Sequence, residues 1–237
     1  MTVGSAIWRD QLTADERAAL GRGDGTIPDA QPDVLVVGGG ILGVATAAAC
    51  AEAGIGSVLL VETGRLGAGA TGGATGLLIP EPHQWSDPEP FVDLERASLQ
   101  RWHDLQQSVP GGVGLVDVDW IGLAHRGGGF AAHQPPAVEW LDPAQVARLV
   151  PGLARPMEGA RIHSQARLNP LRAVARLSAT LPAVATGVAA TGVVIRGSRI
   201  TAVATSAGEV SPGAVVFATG QPPVLDGLPI DIPSDRV

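Results

Sequence analysis

Val34-Leu-Val-Val-Gly-Gly-Gly-Ile-Leu-Gly43 is the stretch on which the fold turns. Val34 to Val37 offers nothing polar to a wet face, which is how a strand buried on both sides of a parallel sheet reads. Gly38, Gly40 and Gly43 follow in the spacing G-x-G-x-x-G, and the small-residue run Val44 to Ala53 predicts a helix ended by Gly54. A second apolar strand, Val58 to Val61, then ends in Glu62. In a strand–helix–strand unit of this kind Gly38 makes the tight turn, Gly40 lets a pyrophosphate approach the backbone, and Gly43 lets helix and strand pack closely. The helix N-terminus offers free N–H groups and a positive dipole end to phosphates. Glu62, roughly 20 residues past the glycines, can accept hydrogen bonds from ribose hydroxyls, and a carboxylate there favours the unphosphorylated ribose of FAD or NAD over NADP.

Downstream of Glu62 the passage from Gly64 to Gly76 is rich in glycine and alanine, and it runs into an apolar Leu77-Leu-Ile79 stopped by Pro80. It reads either as a flexible loop or as backbone pressed against a flat or anionic ligand, with Thr71 and Thr75 as hydroxyl donors. Its place directly after the glycine fingerprint favours the second reading. Upstream, Thr13-Ala-Asp-Glu16 has the form of a capping box for a short helix to Leu20. Residues 1–32 are expected to lie outside the core.

Composition narrows the function classes. With 237 residues, 45% of them hydrophobic and 16% charged, the chain can bury a substantial core. No apolar run reaches the length of a membrane span, and no secretory signal is visible, so a cytoplasmic location is expected. A net charge of −7 argues against a nucleic-acid surface. All 16 basic residues are arginine, which removes the Walker A motif and any lysine base or Schiff base. The single Cys50 reads as a small buried hydrophobe.

Phe91 to Val109 predicts an amphipathic helix with Phe91, Leu94, Trp102, Leu105 and Val109 on one stripe. Val113 to His125 reads as a pair of strands and Gly127 to Pro136 as a loop. Asp142-Pro143 and Asn169-Pro170 open helices to Val150 and Leu181. Strands with tight turns are expected from Val184 to Ile195, Arg199 to Ala204 and Ala214 to Ala218. Five histidines, His83, His103, His125, His133 and His163, show no ligand spacing, so no metal site is expected. Ser164 beside His163 reads as a surface pair, and Asp117 and Asp119 as solvent-facing. No protein acid or base stands out, which fits chemistry carried by a cofactor.

With these pieces in order the chain resembles the N-terminal part of the D-amino-acid oxidase family of FAD-dependent oxidoreductases, and within it glycine oxidase. The resemblance runs from about Asp33 to Gly220. Gly69-Ala-Thr-Gly-Gly-Ala-Thr-Gly-Leu-Leu-Ile-Pro80 is similar to the family's Gly-Ala-Ser-Gly-Ala-Ala-Ala-Gly-Met-Leu-Ala-Pro passage, with Thr71 in place of the usual serine. Trp140-Leu-Asp142, Pro151-Gly-Leu153 and Asn169-Pro170 resemble further signposts, and Ala218-Thr219-Gly220 its second dinucleotide-side turn.

The resemblance implies an α/β fold, with a Rossmann-like FAD-binding domain of residues 33–80 and 160–237. A parallel sheet flanked by helices and a small antiparallel sheet would form it, interrupted by a partial substrate domain of residues 81–159. It places Gly38, Gly40, Ile41, Leu42, Gly43, Glu62, Thr63, Ala70, Thr71, Ala74, Thr75, Gly76, Leu77, Val188, Ala218, Thr219 and Gly220 at FAD. Val188 would set its backbone against the adenine. The implied reaction moves a hydride from the carbon next to the nitrogen of an amino acid or related amine to the flavin. The family continues past the Ala-Thr-Gly turn, where its members hold the substrate carboxylate. The expectation is therefore a truncated or split chain, or one that needs a partner chain or a homo-oligomer. A non-catalytic flavin-binding subunit and an NAD-binding dehydrogenase domain are the alternatives.

Overall fold

The computed structural model describes residues 3–84, 86–124, 138–221 and 223–228. In chain order the elements are α1 Val3–Asp10, α2 Ala14–Ala19, β1 Val34–Val37, α3 Ile41–Glu52, β2 Val58–Glu62, α4 Ala70–Gly73, β3 Leu77–Leu78, α5 Pro80–His83, α6 Glu89–Ser108 and β4 Val116–Ala124. Then come β5 Val138–Leu141, α7 Pro143–Leu149, β6 Glu158–Arg167, α8 Pro170–Ser178, β7 Ala183–Thr186, β8 Ala190–Arg196, β9 Arg199–Thr205, β10 Gly208–Val210 and β11 Ala214–Phe217. They divide into two compact units, one of residues 1–75, 109–113 and 169–237, the other of residues 76–108 and 114–168.

The first unit is built on a parallel sheet in the order β11-β1-β2-β7. All four residues of β1 are buried, as are Val58 to Val61 of β2. Its register sets Val34 beside both Val58 and Ala214. One face packs against the antiparallel sheet β10-β9-β8, where Val193, Val203 and Val210 join Leu35, Val37, Leu59 and Val61 in one apolar core. The other side carries α3, which packs on β1, β2 and α8 and buries Val44 and Ala47 completely. Fully buried side chains such as Leu35, Leu59 and Leu60 each contribute about 1.5–3 kcal/mol. Cys50 on α3 is half-buried.

Residues before 33 do not lie outside the core as the sequence suggests. The capping box of α2 forms, Thr13 accepting from the Glu16 N–H and Glu16 from the Thr13 N–H. Leu12, Glu16 and Leu20 are nevertheless buried. The reason is long-range: Glu16 sits between Arg172 and Arg176 of α8, at 3.1 and 2.9 Å. Arg22 caps the end of α8, donating to the carbonyls of Ser178 and Leu181 at 3.1 and 2.9 Å.

The second unit is an antiparallel sheet centred on β6, which pairs with β3, β4 and β5. Val113 to His125 reads in the sequence as two strands. Over the described residues it is one strand, β4, with a bulge between Val118 and Trp120. The bulge brings Ser164 to φ +59°, the left-handed region. The stripe expected on α6 is only partly buried. Val109 at its end is buried and Trp102 and Leu105 are half-buried, whereas Phe91 and Leu94 are exposed and line a groove with Leu77 to Pro80; the buried residue within α6 is Val92, off the stripe. His125, Arg126, His133 and the loop Gly127 to Pro136 lie outside the described residues. No helix among the described residues is long and apolar enough to cross a membrane.

Candidate functional site

The carboxyl ends of β1, β2 and β11 open into a cleft of about 560 Å³ within the first unit. Strand ends of this kind are where open α/β sheets place ligands. Of the residues singled out in the sequence, the cleft brings together Gly38, Gly40, Ile41, Leu42, Glu62, Thr63, Ala70, Thr71, Ala74, Val188, Ala218, Thr219 and Gly220. Thr75 does not line it, and Gly76 and Leu77 belong to the second unit. Gly43 is buried and does not line it.

The three fingerprint glycines do different work. Gly38 has φ +114°, and a Cβ there would run into the Ala218 carbonyl. A Cβ on Gly43 would run into the Gly38 carbonyl, so no side chain fits between α3 and β1. Gly40 has ordinary extended geometry, and its added Cβ would meet nothing but the Thr71 hydroxyl, at 3.3 Å. Gly40 therefore faces the cleft, while Gly38 and Gly43 are needed for packing.

The N-terminus of α3 carries no side-chain cap of its own. Instead the Ile41 N–H donates to the Thr71 hydroxyl at 3.0 Å, which leaves the hydroxyl proton free to donate toward the cleft. Thr71 is carried by α4, a helical turn inside the passage that reads as a loop or a ligand-pressed backbone in the sequence. Gly67 and Gly72 serve packing there: a Cβ on Gly67 would meet Leu171 at 2.7 Å, and Gly72 packs on the Gly67 carbonyl.

Glu62 is already bound to backbone. Its carboxylate accepts from the Gly39 N–H at 2.7 Å and from the Gly64 N–H at 2.8 Å. Two oxygens offer about four acceptor positions, so two remain for a ligand. Gly39 is the residue sequence reading passed over, as the first x of the fingerprint. A Cβ on it would meet Leu66 Cδ2 at 2.5 Å and the Glu62 Cβ and Cγ at 2.9 Å, so its lack of one makes room for Leu66 and for the stem that carries the Glu62 carboxylate back to the β1 turn. Val188 is buried, and its N–H donates to the Glu62 carbonyl at 3.0 Å.

The second unit holds another polar cavity, of about 540 Å³, lined by His103, Asp117, Asp119, His163 and Ser164. Asp117 and Asp119 are exposed, as expected, and Asp119 is also paired. Arg161 donates to it, with the Nε contact at 2.9 Å, and His163 Nδ1 lies 3.0 Å away. The Arg161 guanidinium, helped by His163, holds the Asp119 carboxyl below the usual carboxylate range. His163 Nε2 reaches Glu139 at 3.3 Å. Separately, His83 bonds Glu95 at 2.6 Å and lies 4.0 Å from Asp87, a grouping that no spacing of histidines in the sequence signals.

Residues 33–233 match the family model described as FAD dependent oxidoreductase. The chain belongs to that family. A Rhizobium etli member, provisionally named thiamine biosynthesis oxidoreductase ThiO, is 31% identical over 151 residues, which cover 62% of this chain and 45% of that protein. L-amino acid deaminase from Proteus myxofaciens superposes with a TM-score of 0.70 at 20% identity, over 83% of this chain and 47% of its own. Glycine oxidase from Geobacillus kaustophilus gives 0.64 at 23% identity, over 80% of this chain and 55% of its own. At such identities the structural likeness shows the fold. The chain thus spans about half the length of the family members it matches. The family region contains the whole cleft and begins after α1 and α2.

Proposed function

We propose that the cleft binds FAD and that the chain takes part in oxidising the C–N bond of an amino acid or related amine. The observation that carries the reading is the division of labour among the glycines: Gly40 alone of the three leaves its missing side chain as open space in the cleft. That space adjoins the N-terminus of a twelve-residue helix, where phosphates are favoured. Gly40, Ile41, Leu42 and the Thr71 hydroxyl would hold the pyrophosphate, and Glu62 the ribose. Ala68, Gly69, Ala70 and Ala74 also line the cleft, so the passage after Glu62 contributes small residues along the ligand. An NAD reading has no use for that passage.

Bound flavin supplies an acceptor for a hydride from the carbon beside the amine nitrogen, leaving an imine that water hydrolyses. The chain's own contribution is to bind, orient and shield. About half of each matched relative lies outside the region shared with this chain, so substrate capture and turnover are proposed for the protein as a whole and FAD binding for the cleft itself. The test is an absorption spectrum of the purified chain after mixing with FAD and removing free ligand, then after adding a panel of amino acids with an artificial electron acceptor. Stoichiometric retention of FAD supports the cleft assignment, and reduction of the acceptor on adding an amino acid supports the oxidation. Retention of NAD in preference to FAD would overturn it.

A further inference from the structure

Residues ahead of the family region are tied to the cleft wall. The Trp8 indole N–H donates to the Ala74 carbonyl at 2.9 Å, and the Trp8 carbonyl accepts from Asn169 Nδ2 at 2.9 Å. Ala74 closes α4 and lines the cleft. Asn169 opens α8, accepting from the N–H groups of Leu171 and Arg172 at 3.0 and 3.1 Å. Trp8 therefore bridges the end of α4 and the start of α8. At the far end of the segment, the Leu20 carbonyl accepts from Leu66 N–H at 2.9 Å, just before Gly67 N–H donates to the Gly39 carbonyl at 2.8 Å.

A single turn such as α4 has no stability of its own, since helix nucleation is unfavourable. Two of its four residues are glycine, and Gly69 and Gly73 have open space around them. Its place is thus set by tertiary ties: Gly72 against Gly67, Thr71 to Ile41, and Trp8 to Ala74. We propose that the segment from Trp8 to Leu20 is a clamp on the cleft, with Trp8 positioning α4 and through it Thr71, so that FAD affinity depends on residues outside the family region. This rests on the FAD reading above. By reciprocity of coupled equilibria, FAD in the cleft should in turn tighten the segment.

The experiment uses the full chain with FAD as the probe. Trp8→Phe keeps the ring and removes the donor. It should weaken FAD binding roughly five-fold, the scale of one neutral hydrogen bond, and lower the melting temperature of the FAD-free chain by no more than the roughly 2–4 °C that one such bond is worth. Trypsin cleaves after arginine, and Arg9 and Arg17 lie in the segment. FAD should slow both cleavages in the wild type and much less in Trp8→Phe. A general loss of stability would lower the melting temperature without removing the FAD effect on cleavage. Unchanged FAD affinity in a folded Trp8→Phe protein overturns the clamp, as do wild-type cleavage rates indifferent to FAD, and the latter decides alone if the variant does not fold. Gly40→Val separates the two ideas. Retention of FAD by that variant removes the cleft assignment and the clamp with it. Loss of FAD there beside an unaffected Trp8→Phe removes the clamp only.

Discussion

Exchanging Gly40 and Gly43 for alanine, one at a time, should break two different properties. At Gly43 the new Cβ would overlap the Gly38 carbonyl oxygen and lie 3.0 Å from its carbon. Both are backbone atoms, so α3 must withdraw from β1 by about an ångström. Overpacking of this kind costs about 1–3 kcal/mol, here at the upper end because nothing flexible can yield. Alanine's better helix propensity returns about 1 kcal/mol. A net loss of about 2 kcal/mol lowers the melting temperature by roughly 4–8 °C in a chain of this size.

At Gly40, φ −73° and ψ 177° suit alanine, and the Thr71 hydroxyl at 3.3 Å need give only slightly. The poorer N-cap and the less flexible unfolded chain offset each other, leaving stability within about 0.5 kcal/mol of wild type. FAD affinity should fall roughly ten- to a hundred-fold, the value of one lost hydrogen bond to a charged group. Thermal melting of the FAD-free variants and fluorescence titration with FAD measure the two effects. The reasoning fails if Gly40→Ala is as unstable as Gly43→Ala, or if it binds FAD like the wild type.

Glu62→Ala should weaken FAD by about 1.5–3 kcal/mol, and unchanged affinity by titration would place the ribose elsewhere. Thr71→Val removes the acceptor of the Ile41 N–H and should cost about 1 kcal/mol in stability with a further loss of FAD affinity, read by denaturation and titration. Glu16→Gln breaks a buried carboxylate away from two guanidiniums that are each about one-third exposed, and should destabilise by about 2 kcal/mol by chemical denaturation at pH 7. Burial alone would raise the Glu16 pKa, but the Thr13 N–H, Arg176 and Arg172 together hold it below the ordinary value of 4.5. Its contribution is therefore complete above about pH 4.5 and is lost as pH falls through the depressed folded-state pKa, so the gap between wild type and Glu16→Gln should close in acid.

The strand–helix–strand unit that walls the cleft is written in short-range code. An apolar strand, a glycine turn, a small-residue helix and a second strand ending in Glu62 are consecutive, and each piece follows from its own residues. Capping is equally local, so Thr13 with Glu16, Asp142 with Gln145, and Asn169 all act where the sequence puts them. Strand β6 was not legible because its bulge breaks the period of two: Ala160 and Ile162 are buried, His163 and Ser164 turn out, and burial resumes at Gln165 and Ala166.

Tertiary structure alone decided three things. It found the partners of Glu16 about 160 residues away on α8, which turned an apparent linker into part of the core. It separated the glycines, since one spacing rule covers Gly38, Gly40 and Gly43 but only the neighbours of each show which is packed and which is open. And it gave Gly39 its role, because a residue with no side chain leaves no sequence signal of what approaches it; here that is the Glu62 carboxylate, returning from the end of the neighbouring strand to a backbone N–H.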